Sequence, residues 1–171
     1  MATVTIFNAQ GGIKEGPGDT IFVDFGGASI PAGSTIDGIT VNVNIAANTT
    51  TVGDVVVNVI DIQNGGSIST VDRTSSTFPF TASPTFSIET FGGSSDLFGI
   101  STFDASSFAG AGIRVGITNN TSNTLFFQGD GTDSNIVVTF TAPVVPTYDN
   151  SINRVMISKG RVTIKSGQVS I

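Results

Sequence analysis

The chain has 171 residues, of which 39% are hydrophobic and only 12% are charged, and its formal net charge is −6. This composition, with abundant Val, Ile, Thr and Phe, favours an all-β domain over a disordered chain, and the absence of cysteine excludes disulfides. We find no run of about 18 apolar residues and no basic-then-apolar leader, so we expect neither a membrane span nor a signal peptide.

Charge is divided unevenly along the chain. Residues 1–145 contain 12 acidic and three basic residues, a net charge of −9, whereas residues 146–171 contain one acidic and four basic residues, a net charge of +3. An acidic body repels nucleic acid, and a short basic tail can reach an acidic protein surface. We therefore expect protein partners, with no nucleic-acid or membrane partner.

Short alternating segments follow one another through the body, separated by clusters of Gly, Asn, Ser and Pro. The clearest segment runs from Ile39 to Ile45, with apolar residues at every second position, as in a strand buried on one face. The other predicted strands are Val4–Ile6, Ile21–Phe25, Val55–Ile62, Phe86–Ile88, Ile113–Ile117, Leu125–Phe127 and Ile136–Phe140. Seven to nine strands predict an all-β fold, a single antiparallel β-sandwich that is jelly-roll-like. Helix is limited to one turn through Phe108, capped by Asp104.

Two loop segments also predict local structure. In Pro31-Ala32-Gly33-Ser34 the proline fixes φ and the glycine supplies a positive φ, which predicts a turn into the long strand. After Gly92 to Asp96, whose side-chain oxygens can accept from local N–H groups, Leu97 and Phe98 would fold back as a plug on the sandwich edge.

Four phrases occur in order along this body. They are SIPAGSTIDGI at 29–39, GGSSDLFG at 92–99, Phe108 followed by GIRV at 112–115, and SNIVVTF at 134–140. They resemble the sIPaGatIdGI, GGssDlWG, F-G-V and vDxIxItVxY phrases of a β-sandwich module common in tailed-phage structural proteins. Phe98 stands for the usual Trp, Asn135 for Asp and Phe140 for Tyr. The resemblance spans residues 20–142 and implies a non-enzymatic virion component: capsid decoration, neck or tail fibre.

The residue inventory argues against catalysis. The chain contains neither His nor Cys, so it lacks the usual nucleophile–base pairs and zinc ligands. The carboxylate pairs Asp54 with Asp61 and Glu89 with Asp96 have no diagnostic spacing for a glycosidase. Because Trp is absent and Tyr148 is the only tyrosine, a carbohydrate-binding module is also discounted. We expect no enzymatic activity and no cofactor.

A single metal site can be suggested from the sequence. The segment from Gly129 to Asn135 offers Asp130 and Asp133 as closely spaced oxygen ligands for calcium. It lacks the glutamate of an EF-hand, and an Asp-Gly turn between two strands explains the segment as well.

The last nineteen residues repeat one phrase three times with a period of seven. The repeat aligns Val155 with Val162 and Val169, and Ile157 with Ile164 and Ile171. Each Val-x-Ile unit alternates like a strand, but seven is odd, so one straight strand would place successive valines on opposite faces. The chain must therefore bend once per unit, which Gly160 and Gly167 would ease.

We accordingly predict three regions: a β-sandwich at 1–142, a Pro-containing linker at 143–152 and an extended heptad-repeat β arm at 153–171. The arm would form the interface, through Val155, Ile157, Val162, Ile164, Val169 and Ile171 and through Arg154, Lys159, Arg161 and Lys165. It would associate with itself as a homotrimer, or clamp a major capsid protein or another virion protein. Two functions remain open: a capsid decoration (cement) protein on the virion surface, and a tail-fibre or adhesin subunit that binds a host receptor.

Overall fold

The computed structural model describes residues 1–7, 13–25, 27–49, 51–62, 67–68, 73–74, 78–80, 85–109, 112–128, 134–144, 155–157 and 160–162. The strands are β1 (Ala2–Phe7), β2 (Ile13–Glu15), β3 (Thr20–Phe25), β4 (Thr35–Ala47), β5 (Thr51–Gly53), β6 (Val55–Asp61), β7 (Ser67–Ile68), β8 (Arg73–Thr74), β9 (Phe78–Phe80), β10 (Ser87–Gly93), β11 (Ile113–Asn119), β12 (Leu125–Gln128), β13 (Asn135–Thr141), β14 (Val155–Ile157) and β15 (Gly160–Val162). A 3-10 turn occupies Ala105–Phe108.

Two antiparallel sheets form the sandwich. In the first, β1, β13, β4 and β10 are neighbours in that order, and β12 continues beyond β13 along the same edge of β4, where it pairs with β2. In the second, β3, β11 and β6 are neighbours, with β7 and β8 both beside β6. This strand order is that of a jelly roll, so the predicted jelly-roll-like sandwich is confirmed.

The core lies between the sheets and follows the alternation in the sequence. Ile39, Val41 and Ile45 of β4 are fully buried, as are Val55, Val57 and Val59 of β6. β6 has neighbouring strands on both sides, and its intervening residues are half-buried, so one face of this strand is partly exposed. The body holds more strands than the seven to nine predicted, because two- and three-residue strands such as β7 and β2 leave no periodicity to read.

The predicted local structures are also present. The Asp104 side chain accepts from the N–H of Ser106 at 2.8 Å and caps the 3-10 turn. The N–H of Ser34 donates to the carbonyl of Pro31 at 3.1 Å, and Gly33 has a φ of 80°. Because Pro31 supplies the carbonyl, it is the first residue of this turn, and its fixed φ does not set the turn's central geometry.

Candidate functional site: strand β10 and the C-terminal hairpin

Two of the four recognised phrases meet in a clasp, which we define as Gly38 and Ile39 of β4 with residues 92–99. The N–H of Ile39 donates to the carbonyl of Asp96 at 2.8 Å. A Cβ on Gly38 would overlap backbone atoms of Gly93, Ser94 and Ser95. Glycine is therefore required at position 38 for the loop to lie directly on the strand.

Phe98 closes the clasp from within. Its side chain is fully buried and its φ is 53°, the one positive φ of a non-glycine residue among the described residues. The Asp96 carboxylate accepts from the N–H of Phe98 at 2.8 Å, which holds this unusual backbone conformation. A Cβ on Gly92 would lie 2.6 Å from the Phe98 ring. The predicted plug is confirmed for Phe98, whereas Leu97 is only partly buried.

The first half of β10 reverses the expected pattern. Phe91 faces the core, so the same face carries Glu89, which is buried, while Ile88 faces outward and is 57% exposed. Glu89 lies opposite Val43, a core residue of β4. A charged residue thus points inward and an isoleucine outward. The predicted Phe86–Ile88 strand exists in part, as β10 begins at Ser87, but Ile88 is not on its core side.

The environment of Glu89 disfavours its charge. Desolvation raises the pKa of this carboxyl, and a hydrogen bond from the Ser87 hydroxyl at 3.0 Å offsets the rise only in part. No cation among the described residues pairs with Glu89. A buried carboxylate without a cation costs stability, so its retention in an edge strand calls for an explanation.

Strand β3, at the edge of the second sheet, carries a carboxylate that, unlike Glu89, is paired with a cation. Asp24 accepts two hydrogen bonds from the Arg114 guanidinium, at 2.6 and 3.0 Å, and this pairing lowers the pKa of Asp24. The guanidinium carbon lies 5.9 Å from the centre of the Phe22 ring, which in turn covers Gly116. This outward-facing group is therefore satisfied within the chain.

The C-terminal repeats pair with one another. In the hairpin of β14 and β15, Val155 lies opposite Val162, Met156 opposite Arg161 and Ile157 opposite Gly160. The bend predicted between repeat units is thus a complete reversal of direction, which brings the valines of successive units into register. Among the described residues, β14 and β15 pair with no other strand. A two-stranded hairpin is marginal alone and gains stability from a third strand.

The remaining predicted interface residues, Arg154, Lys159, Ile164, Lys165, Val169 and Ile171, lie outside the described residues, as do Asp130 and Asp133 of the suggested calcium loop. The residues that sequence reasoning missed are Ile88 and Glu89. A signal was available, because Phe91 fixes the core side of the strand and every second residue must share it. Glu89 was considered only as half of a carboxylate pair with Asp96.

Asp61, from the carboxylate pair Asp54 with Asp61, has a structural role. It is buried and accepts a hydrogen bond from the Ser107 hydroxyl at 2.7 Å, which joins β6 to the 3-10 turn. Within the described ranges, no cluster of three or more Asp and Glu residues could hold a metal ion. No described helix is long and apolar enough to cross a membrane.

Comparisons with known proteins do not assign the chain to a family. No protein-family model matches the sequence, and a search of curated proteins finds no significant relative. Similar solved structures include the "Structure of infectious bursal disease virus Gt strain", with 14% identity and a TM-score of 0.39 over 81% of this chain, and the "CBM4 structure and function" structure, with 13% identity and a TM-score of 0.33 over 80%. This chain spans about a third of the infectious bursal disease virus chain (32%) and 78% of the CBM4 chain.

Proposed function

We propose that the protein is a non-enzymatic structural component of a virion, and specifically a capsid decoration protein of a tailed phage. In this role the jelly roll stands on the outer shell, and the C-terminal arm joins it to other protein chains. The alternative within the same class is a tail-fibre or adhesin subunit. No cofactor is part of either role.

The proposal draws first on the four phrases shared with the phage β-sandwich module. The SIPAGSTIDGI and GGSSDLFG phrases are far apart in sequence, but they meet at Gly38 and Gly93–Ser95 in the clasp. Their glycines are therefore explained by close backbone contact, as expected of a shared fold signature. This explanation supports the resemblance without assigning a ligand to the loop.

The observation that carries the proposal is the register of the C-terminal hairpin. Val155 of the first repeat unit lies opposite Val162 of the second, so the valines at equivalent positions of these two units share one face of the hairpin. Burying six Val and Ile side chains per chain is worth about 10 kcal/mol, and the conformational entropy lost in ordering nineteen residues removes much or all of it. The arm is therefore expected to need a partner, as a clamp between capsid chains would.

The proposal is tested on phage particles. We would compare the full chain with a chain ending at Pro146 for binding to heads stripped of this protein, and would locate the protein by immunogold labelling of intact virions. Decoration requires label on the shell and loss of head binding in the shortened chain. A control with Val162→Ser and Ile164→Ser in the full-length chain separates loss of the apolar residues from loss of length. Label confined to the tail would favour the fibre alternative, and equal head binding by all forms would refute the role of the arm.

A further inference from the structure

The inverted half of β10 has features of an edge that accepts another strand. In the described part of the chain, β10 pairs with β4 on one side only. Of the other edge strands, β1 contains no acidic residue, the Asp24 carboxylate of β3 is already paired with Arg114, and Glu15 of β2 is only partly buried. Among the side chains that the structure describes, β10 alone combines an exposed isoleucine with a buried carboxylate that lacks a described cation. An incoming strand that supplied an apolar residue and a neighbouring cation would satisfy both.

The C-terminal repeat contains that pair of residues. In β15, Arg161 directly precedes Val162. If an antiparallel strand places Val162 opposite Ile88, the register places Arg161 opposite Glu89 and Gly160 opposite Thr90. A parallel strand in the same position would place Thr163 beside Glu89 instead. The dipeptide therefore complements β10 in one direction only, and the net charges of the arm (+4) and the body (−9) are of opposite sign.

We propose that β15 of one copy of this chain adds to strand β10 of a second copy by antiparallel β-augmentation, with Val162 on Ile88 and Arg161 on Glu89. Within a single chain, β14 and β15 pair only with each other among the described strands, which favours docking between copies. The hairpin gains a third strand, and the edge of β10 is covered. The inference rests on the proposed function only in taking the arm as the contact.

This arrangement also bears on symmetry. An arm that docks on the body of the next copy makes a heterologous contact, in which the two partners use different surfaces. Such contacts close into a ring when the rotation between successive copies allows it, and a ring of three would be the trimer expected from the repeats. The cation and the carboxylate would fix the register, while the apolar pair and the strand hydrogen bonds would supply affinity.

The test is a charge exchange, measured by analytical ultracentrifugation of the full-length chain. Glu89→Arg alone and Arg161→Glu alone should each raise the dissociation constant for self-association at least about tenfold, because each places like charges together. The double variant should regain association. An equimolar mixture of the two single variants should also associate, but less tightly than the double variant. Each arm finds an opposite charge on the other variant, and a ring of three then keeps two of its three contacts. Lys165→Glu is the matched control, since it changes the arm's charge equally but should not be rescued by Glu89→Arg.

Several results would overturn the proposal: a wild-type chain that stays monomeric, a double variant no better than Arg161→Glu, or equal rescue of Lys165→Glu. Association of the double variant without association of the mixture would mean docking within one chain, which is also contrary to it. Should Glu89→Arg fail to fold, a double-mutant cycle with Glu89→Gln and Arg161→Gln measures the same coupling, and additive effects would reject the contact. Restored association without binding to phage heads would refute the decoration role and leave this inference intact.

Discussion

The two halves of strand β10 differ in whether their unusual residues are satisfied by contacts within the chain. Its C-terminal half, from Phe91 to Gly93, is fixed by the clasp, where Gly92 lies under the Phe98 ring and Gly38 meets the returning loop. Its N-terminal half carries a buried carboxylate without a described cation and an isoleucine that is mostly in solvent. The C-terminal half is complete within the chain, whereas the N-terminal half is the one that we propose a partner completes.

The same difference separates residues that the fold explains from residues that it does not. The clasp brings together two of the phrases that resemble the tailed-phage module, and its unusual residues have a packing or backbone explanation. The open half lies outside those phrases, and its inversion has no explanation within the described fold. Residues that lower the stability of an isolated chain are often retained for binding, which is why we assign the interaction to the open half.

The largest effect is expected from breaking the clasp half. In Gly38→Ala the new Cβ meets backbone atoms of the 93–95 segment, which cannot move aside as a flexible side chain would. We expect a loss of at least about 3 kcal/mol in the free energy of unfolding, measured by urea denaturation. Gly93→Ala is the matched control, because a Cβ there meets nothing within 4 Å and should change stability by less than about 0.5 kcal/mol. Equal effects of the two variants would contradict the clasp.

Much of the fold could be predicted because its long strands alternate strictly. The seven inward and outward positions from Ile39 to Ile45 were recoverable from periodicity, with the exception of Asn44, which is buried beside Ser134 and Gln128. Asn44 escaped prediction because β12 and β13 meet end to end at this point and cover it. Coverage of this kind depends on strands distant in sequence, which no local pattern records.

The candidate site was harder to predict, for two physical reasons. The odd period of the repeats indicated a bend, but period alone does not distinguish a bulge from the full reversal seen between Val155 and Val162. The inverted pattern of Ile88 and Glu89 runs against the rule that places charge outside, so reading it required the strand's register to be fixed first by Phe91. Sequence reasoning fails at such positions because local preference and the native environment disagree.

A smaller effect, of opposite sign, is expected from removing the charge in the open half. Desolvation raises the pKa of Glu89 in the folded chain above its ordinary value of 4.5. Protonated Glu89 therefore favours the folded state, and this contribution is present below pH 4.5 and is lost as the pH rises through the folded-state pKa. Glu89→Gln should therefore stabilise the full-length chain by about 1 kcal/mol at pH 7 and leave it unchanged near pH 4. Urea denaturation at low protein concentration, where the chain is monomeric, measures this difference. A pH-independent effect would mean that the carboxylate is not the cause.

The smallest effect on stability is expected at Asp24, a carboxylate that is already paired with a cation. The Arg114 hydrogen bonds lower the pKa of Asp24, so its contribution is present above the unfolded-state pKa and is lost as the pH falls through the folded-state value. Asp24→Asn should lower the melting temperature by only about 1 °C at pH 7, because the pair is partly exposed and screened by water, and this loss should disappear in acid. The sign of this pH dependence is opposite to that of Glu89→Gln. Self-association should be unchanged, because β3 is not the proposed docking edge. If Asp24→Asn weakened association while Glu89→Gln associated like the wild type, the docking edge would be β3 and not β10.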